Sequence, residues 1–510
     1  MFARAHAFTI DGLHTRHVAV EVDVRPGLPA FAIVGLADAA VREARERIQA
    51  AIRNSGYEFP ARRITANLAP GDLPKAGPGL DLALACALLA ASEQLAPERL
   101  EDVALFGELA LDGAVRPSRG TLAVAQAARR AGLGTLALAS AHAGEADLID
   151  GLEVAVVEHL RSAVRVLSGG PADPRPRAGA RREPVPPADR AGGDLGEVRG
   201  QQMAVRALVI AAAGAHNCLL SGPPGTGKTM LAQRLPSILP PLSRSEAIEV
   251  TRIHGLLGAR VQGLASSRPF RAPHHSITAA GLVGGARRGC IGEVVLAHNG
   301  VLFLDELSEF ARPTLEALRQ PLEDGRVAIV RARHSAVYPS RFMLLAATNP
   351  CPCGYAGEGE RCSCSESQLA RHRRRLSGPL LDRIDLLLTL QRAGSHPRPE
   401  LTQMSSEQAR QRVLLARERQ LARLRPLGLA VNARMDVRAL REHVRLDECG
   451  EEMMRRARER GLLSARGEHR VMCVARTIAD LGASERVRAR DLGAALALRA
   501  QAGLGDSRAA

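Results

Sequence analysis

Residues 217–235 have the sequence NCLLSGPPGTGKTMLAQRL, which decides the fold of the central part of the chain. The apolar run 217–221 is typical of a short buried strand, and MLAQRL after it is typical of a helix. Between the two lies a glycine-rich loop with the spacing G-x-x-x-x-G-K-T. Its residues are Gly222, Pro223, Pro224, Gly225, Thr226, Gly227, Lys228 and Thr229. A chance glycine-rich turn is the alternative, but the order strand, loop, helix is the context that a phosphate-binding loop requires.

This loop predicts a site for ATP and Mg²⁺. Glycines let backbone N–H groups point inward around phosphates, and the following helix adds the positive end of its dipole. We expect the ammonium group of Lys228 to reach the β- and γ-phosphates. We expect the hydroxyl group of Thr229 to coordinate Mg²⁺.

Two further apolar strands end in polar residues. Val301–Leu304 is followed by Asp305 and Glu306, which predicts one carboxylate that holds Mg²⁺ and one that polarises the attacking water. The alternative is a helix N-cap with an acidic first turn. A strand at 343–347 leads to Asn349, at the position of a residue that orients the water, unless it only forms a turn before proline.

Two arginines are candidates for contact with the γ-phosphate. Arg383 lies in GPLLDRID, and an arginine at a subunit edge could stabilise transition-state charge in the neighbouring subunit. An intrachain salt bridge with Asp382 or Asp385 is the alternative. Arg466, at the start of a predicted helix, is the candidate for a second sensor, with Arg470 in reserve.

The chain of 510 residues is too long for one core. Residues 1–166 alternate strands and helices, and 167–194 form a linker rich in Pro, Gly and Arg. Residues 195–395 have an α/β pattern, and 396–510 are predicted to be helical.

The formal net charge of +15 favours a polyanionic partner such as nucleic acid, although a weak bias without function is the alternative. The basic residues are almost all arginine, and the sequence contains only two lysines, Lys75 and Lys228. No apolar run is long enough for a transmembrane helix and no signal peptide is evident, so we expect a cytoplasmic protein without membrane contact.

Long motifs resemble those of the magnesium-chelatase-like AAA+ proteins of the ComM/YifB competence family. They include RITANLAPGDLPK, RPFRAPHHSITAAGLVGG, GEVVLAHNGVLFLDELSEF, ATNPCPCG and LSGPLLDRIDL. The resemblance covers nearly the whole chain. It implies a P-loop AAA+ ATPase core of the α/β class, an N-terminal α+β domain like the Lon protease domain (ribosomal S5-like), and a C-terminal helical lid. It also implies a homo-oligomer, expected to be a hexamer, that drives branch migration of DNA in natural transformation.

The Lon-like resemblance suggests a domain without peptidase activity. Gly79 occupies the position of the nucleophilic serine and cannot attack a carbonyl group. Leu122 falls at the position of the catalytic lysine. Lys75 is therefore expected to have a structural or DNA-contacting role.

DNA contacts are expected from a hairpin within VAIVRARHSAVYPSRF, where Arg331 and Arg333 would contact phosphate groups in a central pore. An ordinary surface hairpin is the alternative. The segment 278–296 is the expected second pore element, and the basic run 371–375 is a weaker candidate.

Four of the nine cysteines are close together in sequence. Four thiolates in one loop suit tetrahedral Zn²⁺, although C-x-C spacing is less typical than C-x-x-C and reduced thiols are the alternative. These residues are Cys351, Cys353, Cys362 and Cys364.

Two other functions remain open, and two more conflict with particular residues. The ATPase core also resembles the motor subunit of a magnesium chelatase, and another AAA+ remodelling ATPase is equally compatible with the motifs. An ATP-dependent protease conflicts with Gly79 and Leu122. A scaffold that binds ATP without turnover conflicts with the paired carboxylates Asp305 and Glu306.

Overall fold

The computed structural model describes the chain in two compact units. The described residues are 1–510 except 12–13, 37–38, 74, 76, 176–192, 256–262, 286–290, 332–333, 358–360, 376–377, 393–402, 462 and 501–510. The first unit comprises Met1–Glu183, Arg244–Ala265 and Val330–Tyr338, and the second comprises Pro184–Ser243, Ser266–Ile329 and Pro339–Ala510. Most of the predicted linker lies outside the described residues, and the four-part division of the chain stays a prediction.

The bounds of the regular elements are as follows. The strands are β1 Phe2–Asp11, β2 His14–Arg25, β3 Ala30–Val34, β4 Arg63–Ala69, β5 Val103–Leu105, β6 Glu108–Leu109, β7 Val115–Arg116, β8 Thr135–Leu138, β9 Glu153–Val156, β10 Cys218–Ser221, β11 Phe270–Arg271, β12 Val301–Leu304, β13 Arg326–Arg331, β14 His334–Pro339, β15 Met343–Thr348 and β16 Leu386–Thr389. The helices are α1 Ala39–Asn54, α2 Asp81–Ala91, α3 Thr121–Arg130, α4 Ala143–Ala146, α5 Leu160–Leu167, α6 Gln202–Gly214, α7 Lys228–Ile238, α8 Arg244–Gly255, α9 Ala279–Val283, α10 Glu293–Leu296, α11 Arg312–Ala317, α12 Arg319–Asp324, α13 Glu366–Arg375, α14 Gly378–Leu381, α15 Ser406–Leu424, α16 Val437–His443, α17 Glu448–Glu459, α18 Ala465–Leu481 and α19 Ala489–Ala500.

The first unit is built on a mixed seven-stranded sheet in the order β3-β4-β2-β1-β5-β8-β9. β1, β2 and β4 pair antiparallel, whereas β5, β8 and β9 pair parallel. Helix α2 packs on this sheet, and all of its residues are buried. Its sequence DLALACALLAA is almost wholly apolar, as expected for a helix without a solvent-facing side.

One charged residue begins that buried helix. The carboxylate of Asp81 accepts hydrogen bonds from the Arg47 guanidinium at 2.8 and 3.2 Å and from the backbone N–H of Leu109 at 3.3 Å. Burial nevertheless raises the pKa of Asp81 to about 6. The ion pair with the partly exposed Arg47 stabilises the charged form of Asp81, but by less free energy than the buried carboxylate loses in hydration.

The second unit is built on a parallel five-stranded sheet in the order β11-β12-β15-β10-β16. β10 is paired with β15 on one side and with β16 on the other, so that Ser221 lies level with Thr348 and Thr389. All five carboxyl ends meet at one edge, which is where ligands bind in open α/β sheets. The predicted strands before the loop, before Asp305 and before Asn349 are confirmed as β10, β12 and β15.

The end of the chain is helical, as predicted, through α15 to α19. Ser405 and Gln408 form a capping box at the start of α15. Apolar residues of α15 and α18 belong to the same core as the strands of the parallel sheet. No helix in the described part of the chain is both long and apolar enough to span a bilayer.

The two strands predicted around the basic hairpin are present as β13 and β14, which pair in a two-stranded sheet. Arg331 is the last residue of β13. Arg333 lies outside the described residues, so its contribution to DNA binding stays a prediction.

Candidate nucleotide site

The phosphate-binding loop connects β10 to α7, and its glycines have the backbone geometry that the motif requires. Gly225 and Gly227 have φ values of +80° and +83°, where other residues are strained. A Cβ atom on Gly222 would lie 2.8 Å from the carbonyl oxygen of Leu390, so the loop also needs glycine there for close approach to its neighbour. α7 begins at Lys228, and its first N–H groups are directed into the loop.

The ammonium group of Lys228 is surrounded by three oxygen atoms. It donates to the carbonyl oxygens of Gly222 at 2.5 Å and Pro223 at 2.9 Å, and to Oδ1 of Asn349 at 3.1 Å. Partial burial lowers the pKa of Lys228, while Asp305 and Glu306 act in the opposite direction. The predicted residues from β10 and β15 are therefore brought together at one point.

The magnesium ligands predicted from the sequence also meet. The hydroxyl group of Thr229 donates to Oδ2 of Asp305 at 2.7 Å, and Oδ1 of Asp305 accepts from the backbone N–H of Glu306 at 2.9 Å. A hydroxyl and a carboxylate side by side are hard oxygen donors, which fit Mg²⁺. The donor set is therefore compatible with the predicted ion.

Glu306 has a backbone conformation that is rare outside glycine, with φ of +51°. Such strain costs on the order of 1–3 kcal/mol and is concentrated at functional sites. Its side chain is 56% exposed, which is compatible with the predicted contact with a water molecule. The alternative of a plain helix N-cap is weaker, because its side chain accepts no capping hydrogen bond within the described structure.

His275 contacts this carboxylate and was not predicted to do so. Its Nδ1 lies 3.4 Å from Oε2 of Glu306, and its ring is tilted by 35° against that of His274, with centroids 4.0 Å apart. In the sequence this pair of histidines belongs to the motif RPFRAPHHSITAAGLVGG, which gives no indication of a contact with Glu306. The missed signal was its position just after β11, whose carboxyl end lies beside that of β12.

The two predicted arginines, Arg383 and Arg466, contact the same carboxylate, that of Glu323. Nη2 of Arg383 lies 2.6 Å from Oε1 of Glu323, and Nη2 of Arg466 lies 3.3 Å from the same oxygen. The Arg383 side chain is only 9% exposed, whereas that of Arg466 is 62% exposed. Arg383 thus pairs with Glu323 on α12, which the sequence did not indicate. The reserve candidate, Arg470, lies 3.3 Å from Asp385 instead.

The four predicted cysteines form a compact group, called here the cysteine cluster (Cys351, Cys353, Cys362 and Cys364). Their sulfur atoms all lie within 4.8 Å of one another, and three of the separations are 3.3, 3.7 and 3.9 Å. A tetrahedral ion with Zn–S bonds of about 2.3 Å has S–S edges of about 3.8 Å. A hydrogen bond from the backbone N–H of Tyr355 helps to lower the pKa of Cys353 to about 6, whereas burial and the neighbouring thiols raise the pKa of Cys362 and of Cys364, the latter to about 12. The cluster therefore fits a tetrahedral metal ion.

Gly79, which the sequence predicted to replace a nucleophilic serine, is closely packed in the first unit. A Cβ atom on Gly79 would lie 2.5 Å from Cε2 of Phe106, so there is no room for a serine side chain there. Leu122 is buried. The side chain of Lys75 is also buried, and its ammonium group donates to the carbonyl oxygen of Pro70.

Comparison with known families gives three matches along the chain. Residues 20–142 match the family described as subunit ChlI of Mg-chelatase. Residues 194–397 match magnesium chelatase, subunit ChlI, and residues 403–499 match the C-terminal part of that subunit.

Relatives match over nearly the full length. The uncharacterized protein YifB of Salmonella typhimurium is 43% identical over 505 residues, which cover 98% of this chain and 97% of YifB. The competence protein ComM of Haemophilus influenzae is 40% identical over 499 residues, covering 96% of each chain. The magnesium-chelatase 67 kDa subunit of Heliobacterium mobile is 28% identical over 196 residues, which cover 32% of this chain and 29% of that subunit.

Proposed function

Because the chain belongs to the magnesium-chelatase-like AAA+ family that includes YifB and ComM, we propose that it is an ATP-driven motor that acts on DNA. The observation that carries the ATPase part is the meeting of Lys228, Asn349, Thr229 and Asp305 at one edge of a parallel sheet. Each of these side chains is supplied by a different strand end or by the loop after β10. Such an arrangement holds a triphosphate and positions water.

The roles of the residues follow from their chemistry. Lys228 would neutralise the β- and γ-phosphates, and Asn349 would orient the attacking water. Thr229 and Asp305 would hold Mg²⁺, which neutralises developing charge on the phosphate oxygens. Glu306 would polarise the water, with His275 fixing the direction of its carboxylate.

The subunits would form a ring that is required for turnover, because Arg383 would reach the nucleotide of a neighbouring subunit. Its pairing with Glu323 must then be exchanged for the γ-phosphate, and Arg466 at the same carboxylate would act as the second sensor. A hexamer is the ring size that we propose. This exchange makes Glu323 a third participant in the site.

DNA is the proposed substrate for two reasons. The competence protein ComM matches 96% of this chain, whereas the magnesium-chelatase subunit matches only 32%. The net charge of +15 also favours a polyanion. We therefore propose branch migration of joint DNA molecules in recombination rather than metal insertion into a porphyrin. In this proposal Arg331 and Arg333 contact the DNA backbone.

Two structural roles complete the proposal. The cysteine cluster would hold Zn²⁺, because its sulfur separations suit a tetrahedral ion. The first unit would be a Lon-like scaffold without peptidase activity, because Gly79 and Leu122 replace the catalytic pair.

The ATPase proposal is tested by turnover of the purified protein with and without branched DNA. Wild-type protein should hydrolyse ATP and move three- and four-stranded junctions, whereas Lys228→Ala should lose nucleotide binding and Glu306→Gln should bind without turnover. A Lys228→Ala variant that retains wild-type turnover would refute the site. ATP turnover that is indifferent to DNA, with no junction moved, would refute the DNA motor.

The DNA contacts are tested separately by salt dependence. The double variant Arg331→Ala/Arg333→Ala should make the negative slope of log (DNA-binding constant) against log (salt concentration) shallower by about 2 for each contacting subunit. The matched control is Arg438→Ala/Arg441→Ala, which changes the net charge equally at two exposed positions on α16. Equal effects of both double variants would show that charge alone, and not the hairpin, carries binding.

A further inference from the structure

The cysteine cluster lies in the loop that directly follows Asn349. Only Pro350 separates Asn349 from Cys351, and only Ser365 separates Cys364 from α13. Ser365 and Gln368 exchange hydrogen bonds of 2.9 and 3.3 Å, which fix the start of that helix as a capping box. The position of α13 therefore depends directly on the last cysteine.

Helix α13 returns to Asn349 through a buried histidine. Nε2 of His372 donates to the carbonyl oxygen of Asn349 at 2.9 Å, and His372 is only 4% exposed. Oδ1 of the same asparagine accepts from Lys228. The loop that contains the cluster thus begins next to Asn349, and the helix after it returns to contact the same residue.

The middle of the loop packs on the phosphate-binding loop. Gly354, with φ of +88°, lies so close to Pro224 that an added Cβ atom would be 2.6 Å from Cδ of the proline. The guanidinium of Arg392 lies 5.3 Å from the centroid of the Tyr355 ring and donates to the carbonyl oxygen of Pro224 at 3.5 Å. The two residues that follow Cys353 in the sequence, Gly354 and Tyr355, therefore support the backbone of the phosphate-binding loop.

We propose that a metal ion in the cysteine cluster sets the positions of Asn349 and of the phosphate-binding loop, so that ATP turnover depends on metal occupancy. This inference rests on the proposed ATPase function and adds a dependence that the function does not require. The metal has no part in phosphate chemistry. Four thiolates select a soft tetrahedral ion of the zinc class, and the loop has a single arrangement only when its four ligands converge.

The first test compares metal content with turnover. Wild-type protein should contain one zinc ion per chain by elemental analysis, and Cys353→Ser/Cys362→Ser should contain none. Turnover by that variant should fall about 10- to 100-fold, because a displacement of about 1 Å in a positioning residue has an effect of that size. Binding of a fluorescent ATP analogue supplies a second measurement that does not need turnover. Cys449→Ser, at an exposed cysteine on α17, is the control and should retain both zinc and turnover.

The second test leaves the cysteines intact, in case their removal unfolds the loop. Gly354→Ala and Gly357→Ala introduce the same backbone strain, since their φ values are +88° and +93°. Only the first adds a clash, because no atom of the described residues lies within 4 Å of a Cβ atom on Gly357. Both variants should keep zinc, but Gly354→Ala should reduce turnover at least about tenfold relative to Gly357→Ala.

The outcomes separate this inference from the proposed function. Wild-type turnover in a protein without metal, or in the zinc-free variant, would overturn the inference and leave the ATPase intact. Equal turnover by Gly354→Ala and Gly357→Ala would also overturn it. Zinc-loaded wild-type protein that does not hydrolyse ATP would instead refute the proposed function, and the inference with it.

Discussion

Replacement of Arg383 by alanine separates two roles for this buried residue. If it only stabilises the second unit, the loss is that of its ion pair with Glu323. If it reaches the nucleotide of a neighbouring subunit, the loss is that of a group that stabilises transition-state charge. The two losses differ in size and in the assay that detects them.

The structural loss is small. The two side chains are 9% and 39% exposed, so solvent screens the pair, and Glu323 keeps Arg466 at 3.3 Å after the change. We therefore expect a loss of about 1–2 kcal/mol, or a few degrees in Tm. Because folded domains have about 5–15 kcal/mol of stability, nearly all of the variant should stay folded. A catalytic role predicts instead a fall in turnover of about 10³-fold or more.

The assay pairs thermal unfolding with ATP turnover for Arg383→Ala and Glu323→Gln. Both variants lose the ion pair, but only Arg383→Ala loses the guanidinium group, so Glu323→Gln separates loss of the pair from loss of the arginine. Turnover should fall steeply in Arg383→Ala and by no more than severalfold in Glu323→Gln. Comparable losses in both variants would refute the catalytic role.

Mixed rings then test whether the arginine acts between subunits. In a random mixture of Arg383→Ala and Glu306→Gln chains, about a quarter of the interfaces combine an intact carboxylate with an intact arginine from the neighbour, as a heterologous ring contact allows. Turnover should recover to about that fraction. Recovery no greater than the sum of the separate variants would refute action in trans.

Three further predictions concern other residues. His275→Ala should lower kcat about 10-fold or more, and His275→Asn should restore part of kcat because an amide can still donate to Glu306. Steady-state ATP turnover measures both effects. An unchanged kcat in His275→Ala would argue against a role of His275 in positioning the Glu306 carboxylate. Gly79→Ser should lower the free energy of unfolding by about 1–3 kcal/mol through a clash with the phenyl ring of Phe106, and it should not generate peptidase activity. Urea unfolding measures the first effect and casein cleavage the second. Cleavage of casein would refute the inactive scaffold. Because burial raises the pKa of Asp81 from 3.8 to about 6, the folded state binds this proton more tightly than the unfolded chain. The contribution of protonated Asp81 to the free energy of unfolding should be complete below pH 3.8. That contribution should decline by about 3 kcal/mol as the pH rises through 6. Asp81→Asn should flatten that part of the pH profile in urea unfolding monitored by circular dichroism, and an unchanged profile would refute the assignment.

The residues that the sequence could predict share a local signal. Lys228 and Thr229 belong to one contiguous motif, and Asp305 and Asn349 each follow an apolar strand. In a parallel sheet the carboxyl ends of the strands lie at one edge, so residues distant in sequence must converge there. That rule explains why Lys228 and Asn349 are close together, since β10 and β15 are neighbours. Nζ of Lys228 lies 3.1 Å from Oδ1 of Asn349.

The contacts that the sequence could not predict depend on side chains without a periodic or motif signal. Glu323 pairs with Arg383 and Arg466, which lie 60 and 143 positions further along the chain. Gly354 resembles any turn glycine in the sequence, and only its approach to Pro224 reveals why it is glycine. The inclusion of helix α8 in the first unit is a further example, since α8 follows the phosphate-binding loop in sequence.

The scarcity of lysine acquires a physical explanation at Lys228. Three oxygen acceptors surround its nitrogen at 2.5–3.1 Å, and they match the three donors of an ammonium group. A planar guanidinium directs its five donors outward from a larger group and cannot place three of them on acceptors around one point. Lys75, the second lysine, is likewise buried, with its ammonium group against the carbonyl oxygen of Pro70. In a chain that otherwise uses arginine for positive charge, both lysines therefore lie where a compact cation is needed, one in the nucleotide site and one in the first unit.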